Sequence, residues 1–184
     1  MENIWFTSDL HFGHDRDFVW KVRGFENVEE MNKAIVERFN SKVQPDDTVY
    51  ILGDLMLGEN EIGENYLSQL NGKKIIILGN HDTSKRIKIY EKYAEEIVYA
   101  KVIKYKKRQI YMSHYPTLTG NLDDTPDHCV LNFHGHTHQI ENFNKEHGFY
   151  MYHVGVDSHD CYPVHIDDIL ESIKTKRGLS LDEK

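Results

Sequence analysis

The chain has 184 residues, 39% of them hydrophobic, and its 30 acidic against 22 basic side chains give a formal net charge of −8. That length fits one domain over residues 1–184, and the acidic balance argues against a general nucleic-acid or membrane-surface binder, which needs a basic field. No basic start runs into an apolar segment, no stretch approaches the roughly 18 apolar residues of a membrane span, and Cys129 and Cys161 suit buried thiols better than a disulfide framework, so a cytoplasmic protein is expected.

The first apolar run, residues 4–8 (IWFTS), reads as a buried strand and leads into Asp9-Leu10-His11. A helix is predicted next: Asn27 and Glu30 form a capping pair, and Met31, Ala34, Ile35 and Phe39 follow at helical spacing. Residues 48–52 (TVYIL) read as a second strand, leading into Gly53-Asp54. A second helix is expected over 61–70, with Ile62, Tyr66, Leu67 and Leu70 on one face and Asn71-Gly72 closing it. The run 74–78 (KIIIL) leads into Gly79-Asn80-His81-Asp82, and a third helix is expected near 85–97. The basic run 104–108 fits a solvated hairpin tip. Residues 109–113 (QIYMS) then lead into His114, and 130–134 (VLNFH) into Gly135-His136-Thr137-His138. A last helix starts at Asp167 and carries Ile169, Leu170 and Ile173 as core packing. Strands alternating with helices early, then mainly strands, indicate a layered α/β sandwich.

All five runs deliver Asp, Asn or His at the same end, where open α/β sheets place their ligands. The donors are oxygen and imidazole nitrogen without thiolate, a set suited to Mn, Fe, Zn or Ni rather than to a structural zinc. Any one of these short motifs alone is usually a turn. Five of them in order at strand ends are far harder to explain that way.

The series D-x-H, G-D, G-N-H-D, H and G-H-x-H, from Asp9 to His138, resembles the calcineurin-like metallophosphoesterase superfamily. The likeness is closer to its small stand-alone bacterial and phage phosphoesterases, through residues 7–14, Gly53-Asp54-Leu55, His114-Tyr115-Pro116 and Gly155-Val156-Asp157. Arg23-Gly24-Phe25 departs from the Arg-Pro-Phe of that branch. The resemblance implies a four-layer α-β-β-α sandwich with two mixed sheets and a dinuclear metal site at the strand C-terminal ends. It implies two divalent transition metals, manganese first and iron, zinc or nickel as alternatives, bridged by Asp54. One ion would take Asp9, His11 and His138, and the other Asn80, His114 and His136. In the same pattern His81 faces the scissile phosphate and Asp82 orients its ring, and Arg23 is a weaker substrate contact; His14, three residues past His11, either touches substrate or caps its loop.

The expected activity is hydrolysis of phosphomonoesters or phosphodiesters by a hydroxide activated between two metals. Two dications against Asp9 and Asp54 make the pocket positive despite the net charge of −8. The expected partner is a small phosphate ester or nucleotide, acting on a monomer or homodimer. A nuclease would call for capping domains or a basic tract. An interaction scaffold would have lost ligands that are all present here. His134, still within its strand, belongs behind the metal ligands. His128, His147, His153, His159 and His165 are assigned to surface or structural roles, with His159 a weak substrate candidate.

Overall fold

The β-branched runs pair as parallel strands, so their carboxyl ends meet along one edge. The computed structural model describes residues 3–119, 130–144 and 148–176. In the first sheet β1 (Ile4–Thr7), β2 (Thr48–Leu52), β3 (Lys73–Ile77) and β4 (Ala94–Val98) run parallel, and β10 (Val164–His165) joins β1 antiparallel. The second sheet has the order β5-β6-β7-β9-β8, from β5 (Ala100–Tyr105), β6 (Arg108–Ser113), β7 (Leu131–His134), β9 (Gly148–His153) and β8 (Phe143–Asn144). Its β6, β7 and β9 are parallel, and β5 and β8 antiparallel, so both sheets are mixed.

Two cores hold these layers. Helices α2 (Val28–Lys42), α3 (Asn60–Leu67) and α4 (Ser84–Tyr90) pack through Met31, Ile35, Phe39, Leu67 and Tyr90 onto one face of the first sheet. The other face meets the second sheet, where Phe6 packs edge-on against Phe133 at 5.1 Å. Helix α5 (Ile166–Lys176) adds Ile166, Ile169 and Ile173 to that inter-sheet core. Burying large apolar side chains from two layers is the main favourable term here, at about 25 cal/mol per Å². The α/β class and the two mixed sheets expected from the sequence are those of the structure.

Local differences have local causes. The helix expected over 85–97 ends at Tyr90, and residues 94–98 become β4 because Ile97 and Val98 complete the edge beside Ile76 and Ile77. Pairing along an open sheet edge overrides helical spacing. Ile62 is 42% exposed instead of facing the core, where α3 buries Gly63 and Leu67. Asn27 accepts from the Glu30 N–H as expected, whereas Glu30 reaches back to the N–H of Glu26. The short helix α1 (Asp17–Trp20) and the two-residue strands β8 and β10 are too brief for any periodicity to announce. Lys106 and Lys107 form the β5–β6 hairpin tip, both at positive φ as in a type I′ turn. No helix among the described residues is long and apolar enough to cross a membrane. Cys161 is buried, and Cys129, His128 and His147 lie outside the described residues.

Candidate metal centre

Each strand that reaches the shared edge turns sharply, and the turns carry the donors. Asp9, His11, Asp54, His136 and His138 all hold φ between 49° and 67°, the left-handed region. For non-glycine residues that conformation costs about 1–2 kcal/mol apiece, so the surrounding bonds must impose it. The N–H of Asp9 donates to Gly53 O at 3.0 Å, that of His11 to Asp54 O at 3.1 Å, and that of Gly135 to His114 O at 3.0 Å. These bonds stitch neighbouring loops together within each sheet. Gly79 is required by close approach, because a Cβ there would collide with Asp54 Oδ1.

The donors converge. His11 Nε2 lies 3.9 Å from Asp9 Oδ1 and 3.9 Å from Asp54 Oδ2, and His138 Nε2 lies 3.8 Å from Asp9 Oδ1. On the other side His114 Nε2 is 3.4 Å from Asp54 Oδ2 and 2.9 Å from Asn80 Oδ1, with the His136 ring 5.0 Å from that of His114. Two overlapping donor groups result, Asp9 with His11 and His138, and Asp9 with Asp54 and His114. The seven ligand positions expected from the sequence therefore share one cluster.

The donors fit a cation. Asp9 Oδ1 and His11 Nε2 are buried without a hydrogen-bond partner. His114 Nδ1 faces only the carbonyl of Leu52, at 2.8 Å, so Nε2 of the neutral ring is an acceptor aimed at two oxygen acceptors. Such a convergence of acceptors is resolved by a metal ion or a proton. Burial pushes the Asp9 carboxyl pKa up, and the His138 and His114 rings offset only part of this. Burial works the same way on Asp54, but bonding and charge from His114 and the His81 N–H hold it at about 2. Burial would likewise lower the His114 pKa, yet Asp54 and Asp9 outweigh it and raise the value.

A second set of groups fixes the donors. Ser8 Oγ donates to Asp9 Oδ2 at 2.6 Å, and the backbone N–H of His136 donates to the same oxygen at 3.0 Å. His138 Nδ1 donates to Asp157 Oδ2 at 2.8 Å, which turns Nε2 toward Asp9. Asp157 is gripped in turn by Arg23, whose Nε and Nη2 reach its two oxygens at 2.9 and 3.2 Å. The remaining Arg23 donors go to Leu10 O, Asp9 O and Met31 Sδ. All five N–H groups are thus committed, leaving none for the substrate contact expected of Arg23.

Asp82 also departs from expectation. Its Oδ2 accepts from the N–H groups of Asp54 (3.0 Å) and Gly79 (2.7 Å), and its Oδ1 from the Tyr90 hydroxyl (2.7 Å). With both oxygens occupied, it clamps two ligand loops rather than orienting the His81 ring. His81 stands at the mouth of the centre, its side chain 42% exposed and its Nε2 4.0 Å from Asp54 Oδ2. His14 lies beside His11, ring centres 5.4 Å apart. His134 and His153 are fully buried behind the ligands, rings 5.5 Å apart, and His159 bonds the carbonyl of His153. His165 packs on Trp5. No local pattern in the sequence marks the roles of Ser8 and Tyr90, or the grip of Arg23 on Asp157. Gly155-Val156-Asp157 is the one signal for Asp157 itself.

A family model described as the calcineurin-like phosphoesterase superfamily domain matches residues 3–155. An uncharacterized protein of Methanocaldococcus jannaschii is 32% identical over 145 residues, covering 78% of this chain and 74% of its own. The gene 66 protein of Mycobacterium phage L5 is 30% identical over 185 residues, covering 86% and 88% respectively. Among solved structures, a protein of unknown function from Aquifex aeolicus matches with a TM-score of 0.71 at 25% identity, over 94% of this chain and 100% of that one.

Proposed function

The chain belongs to the calcineurin-like phosphoesterase superfamily, whose members are metal-dependent phosphoesterases, and from that premise we propose that it hydrolyses small phosphomonoesters or phosphodiesters with two divalent ions, manganese first. One observation carries the two-ion reading. Asp54 Oδ2 stands between His11 Nε2 at 3.9 Å and His114 Nε2 at 3.4 Å, as a bridging carboxylate would. Asp9, His11 and His138 would complete one coordination set, and Asn80, His114 and His136 the other. When bound, the ions supply a hydroxide nucleophile near neutral pH and offset charge on the phosphoryl oxygens.

The chain's own residues do the rest. A single chain provides every proposed ligand. Asp9 and Asp54 neutralise half of the charge that two dications bring, so the centre attracts an anion although the whole chain is acidic. His81 is placed to hold a proton at the leaving oxygen, the acid role that contributes about 10²–10⁴-fold in rate. Its N–H donates to Asp54 Oδ1 at 2.9 Å and its carbonyl accepts from Arg86, so the backbone is fixed while the ring faces the opening.

The test is turnover of p-nitrophenyl phosphate and bis-p-nitrophenyl phosphate by chelator-stripped protein before and after manganese addition. Activity should return as bound metal approaches about two ions per chain, and Asp54→Ala should lose both. Full activity with one tightly held ion would defeat the two-ion mechanism. No hydrolysis of either ester by the manganese form would defeat the phosphoesterase assignment for this chain.

A further inference from the structure

Beside the metal centre lies a cavity of about 530 Å³ that phosphate alone does not explain. Its inner end is formed by His11, His81 and His138, and its outer wall by Phe18, Val22 and Leu57. Phe18 is 66% exposed and Val22 72%, large apolar groups on a segment whose helix, α1, buries no residue. A side chain that contributes nothing to a core yet faces a reactive site is a candidate for ligand contact. The segment is also fixed in place. The Gly24 N–H donates to Lys21 O, the Phe25 N–H to Trp20 O, and Arg23 anchors its end through five bonds.

We propose that this cavity is a nucleoside subsite, in which Phe18 stacks on the base of a substrate whose leaving oxygen belongs to the sugar. The inference rests on the phosphoesterase reading and names its substrate class. Three observations favour a nucleoside. The His14 ring stands perpendicular to Phe18, with centres 5.9 Å apart, and makes a corner for a flat ring. The His14 ring makes no side-chain hydrogen bond among the described residues, and with Nδ1 enclosed the other ring nitrogen is the one left to meet a polar base edge or a ribose hydroxyl. Ring centres step 5.4 Å from His11 to His14 and 5.9 Å from His14 to Phe18, so Phe18 stands two ring contacts out from the metal centre, as a base stands beyond a sugar from the phosphate.

Because His81 lines the same cavity, the subsite lies on the leaving-group side. An oxygen from water bonds to phosphorus, the ester P–O bond breaks, and the sugar oxygen departs with the proton held on His81. The nucleoside and a phosphate (or phosphate monoester) result, with no oxidant or reductant required.

The experiment compares manganese-loaded wild type, Phe18→Ala and Phe18→Trp on adenosine, phenyl and glycerol esters, each as the 5′- or simple monoester and as its methyl diester. Comparing each variant with wild type on the same ester removes differences in leaving-group reactivity. Phe18→Ala should lower kcat/KM on the adenosine esters about tenfold, mainly through KM, as the loss of one base–aromatic stack does. The loss on glycerol esters should be several times smaller, and Phe18→Trp should restore the adenosine esters. Equal losses on all three leaving groups, or the greatest loss on the phenyl esters, would overturn the nucleoside assignment. Calorimetric titration reads the subsite without turnover. The phosphonate analogue of adenosine 5′-phosphate, with CH2 in place of the bridging ester oxygen, should bind wild type about tenfold more tightly than inorganic phosphate, and Phe18→Ala should erase the difference. If no ester is hydrolysed but that preference is present, the phosphoesterase reading fails and the subsite stands. Equal binding of the two ligands would overturn the subsite.

Discussion

At the scale of single residues, the candidate centre depends on side chains outside its ligand set. Arg23 holds Asp157, Asp157 holds His138 Nδ1, and His138 Nε2 is thereby aimed at Asp9. Asp157→Asn should weaken manganese binding about 10–100-fold, as loss of a carboxylate behind a histidine ligand does, read by competition with a chelator. Unchanged affinity would show that the ring is held by packing alone. His81 makes a different prediction. His81→Ala should slow a poor alkoxide leaving group much more than nitrophenolate, by about 10²-fold or more, with bound metal nearly intact. Equal losses on both would reduce His81 to positioning phosphate. The candidate ligands are legible because each follows its strand by one to four residues, and local spacing displays that. The pairing of Arg23 with Asp157 spans 134 positions, and no local pattern announces it. Arg23 looked free for substrate in the sequence because its partner was out of sight.

Secondary-structure elements bring these residues together through bonds between their ends. The end of α4 reaches two ligand loops through Tyr90 and Asp82, whose oxygens receive the Asp54 and Gly79 N–H groups. Tyr90 is fully buried, and burial together with the Asp82 charge pushes its hydroxyl pKa far above the ordinary value. Tyr90→Phe should cost about 1–3 kcal/mol of stability, since it strips one partner from the half-buried Asp82 carboxylate, as urea unfolding would measure. A cost near zero would mean that Asp82 is solvated without it. The apolar runs of β1, β2, β3, β6 and β7 were readable because buried parallel strands are hydrophobic almost throughout. The stretch 94–98 was misread since Tyr93, Ala94 and Ile97 also satisfy helical spacing, and only the vacant side of β3 decides between the two.

For the whole molecule, acid and metal act on the same buried polar layer. Burial lowers the pKa of His134 to about 4 and of His153 to about 3, from an ordinary 6.5. The unfolded chain gains a proton at each below 6.5 while the folded protein stays neutral there, so each ring withdraws stability as pH falls toward its folded value. Relative to wild type, His153→Gln should therefore gain roughly 2 kcal/mol in unfolding free energy between pH 7 and pH 5. A parallel response of the two proteins would place the acid sensitivity elsewhere. Metal acts in the opposite sense. Manganese at about 100 times its Kd should add about 2.7 kcal/mol, or roughly 5–10 °C in Tm for a chain of this size. A Tm indifferent to manganese and to chelator would contradict the cation fit. Composition shows only the acidic total, because on the proposed reading the positive charge of the centre would arrive with its ions.

The ligands run from Asp9 to His138 and are drawn from the ends of strands in both sheets. No hairpin, single sheet or half of the chain contains a complete set, so no partly folded intermediate offers the finished centre. Long-range closures of this kind come late, after the loop entropy between distant strands has been overcome. Coordination is thus postponed to the closing stage of folding, when the two sheets have docked. A chain stalled earlier would present scattered histidines and carboxylates, able to pick up a stray ion weakly but not to activate water with it. On the proposed mechanism the order of events guards against premature chemistry, because the centre becomes reactive only as it becomes complete.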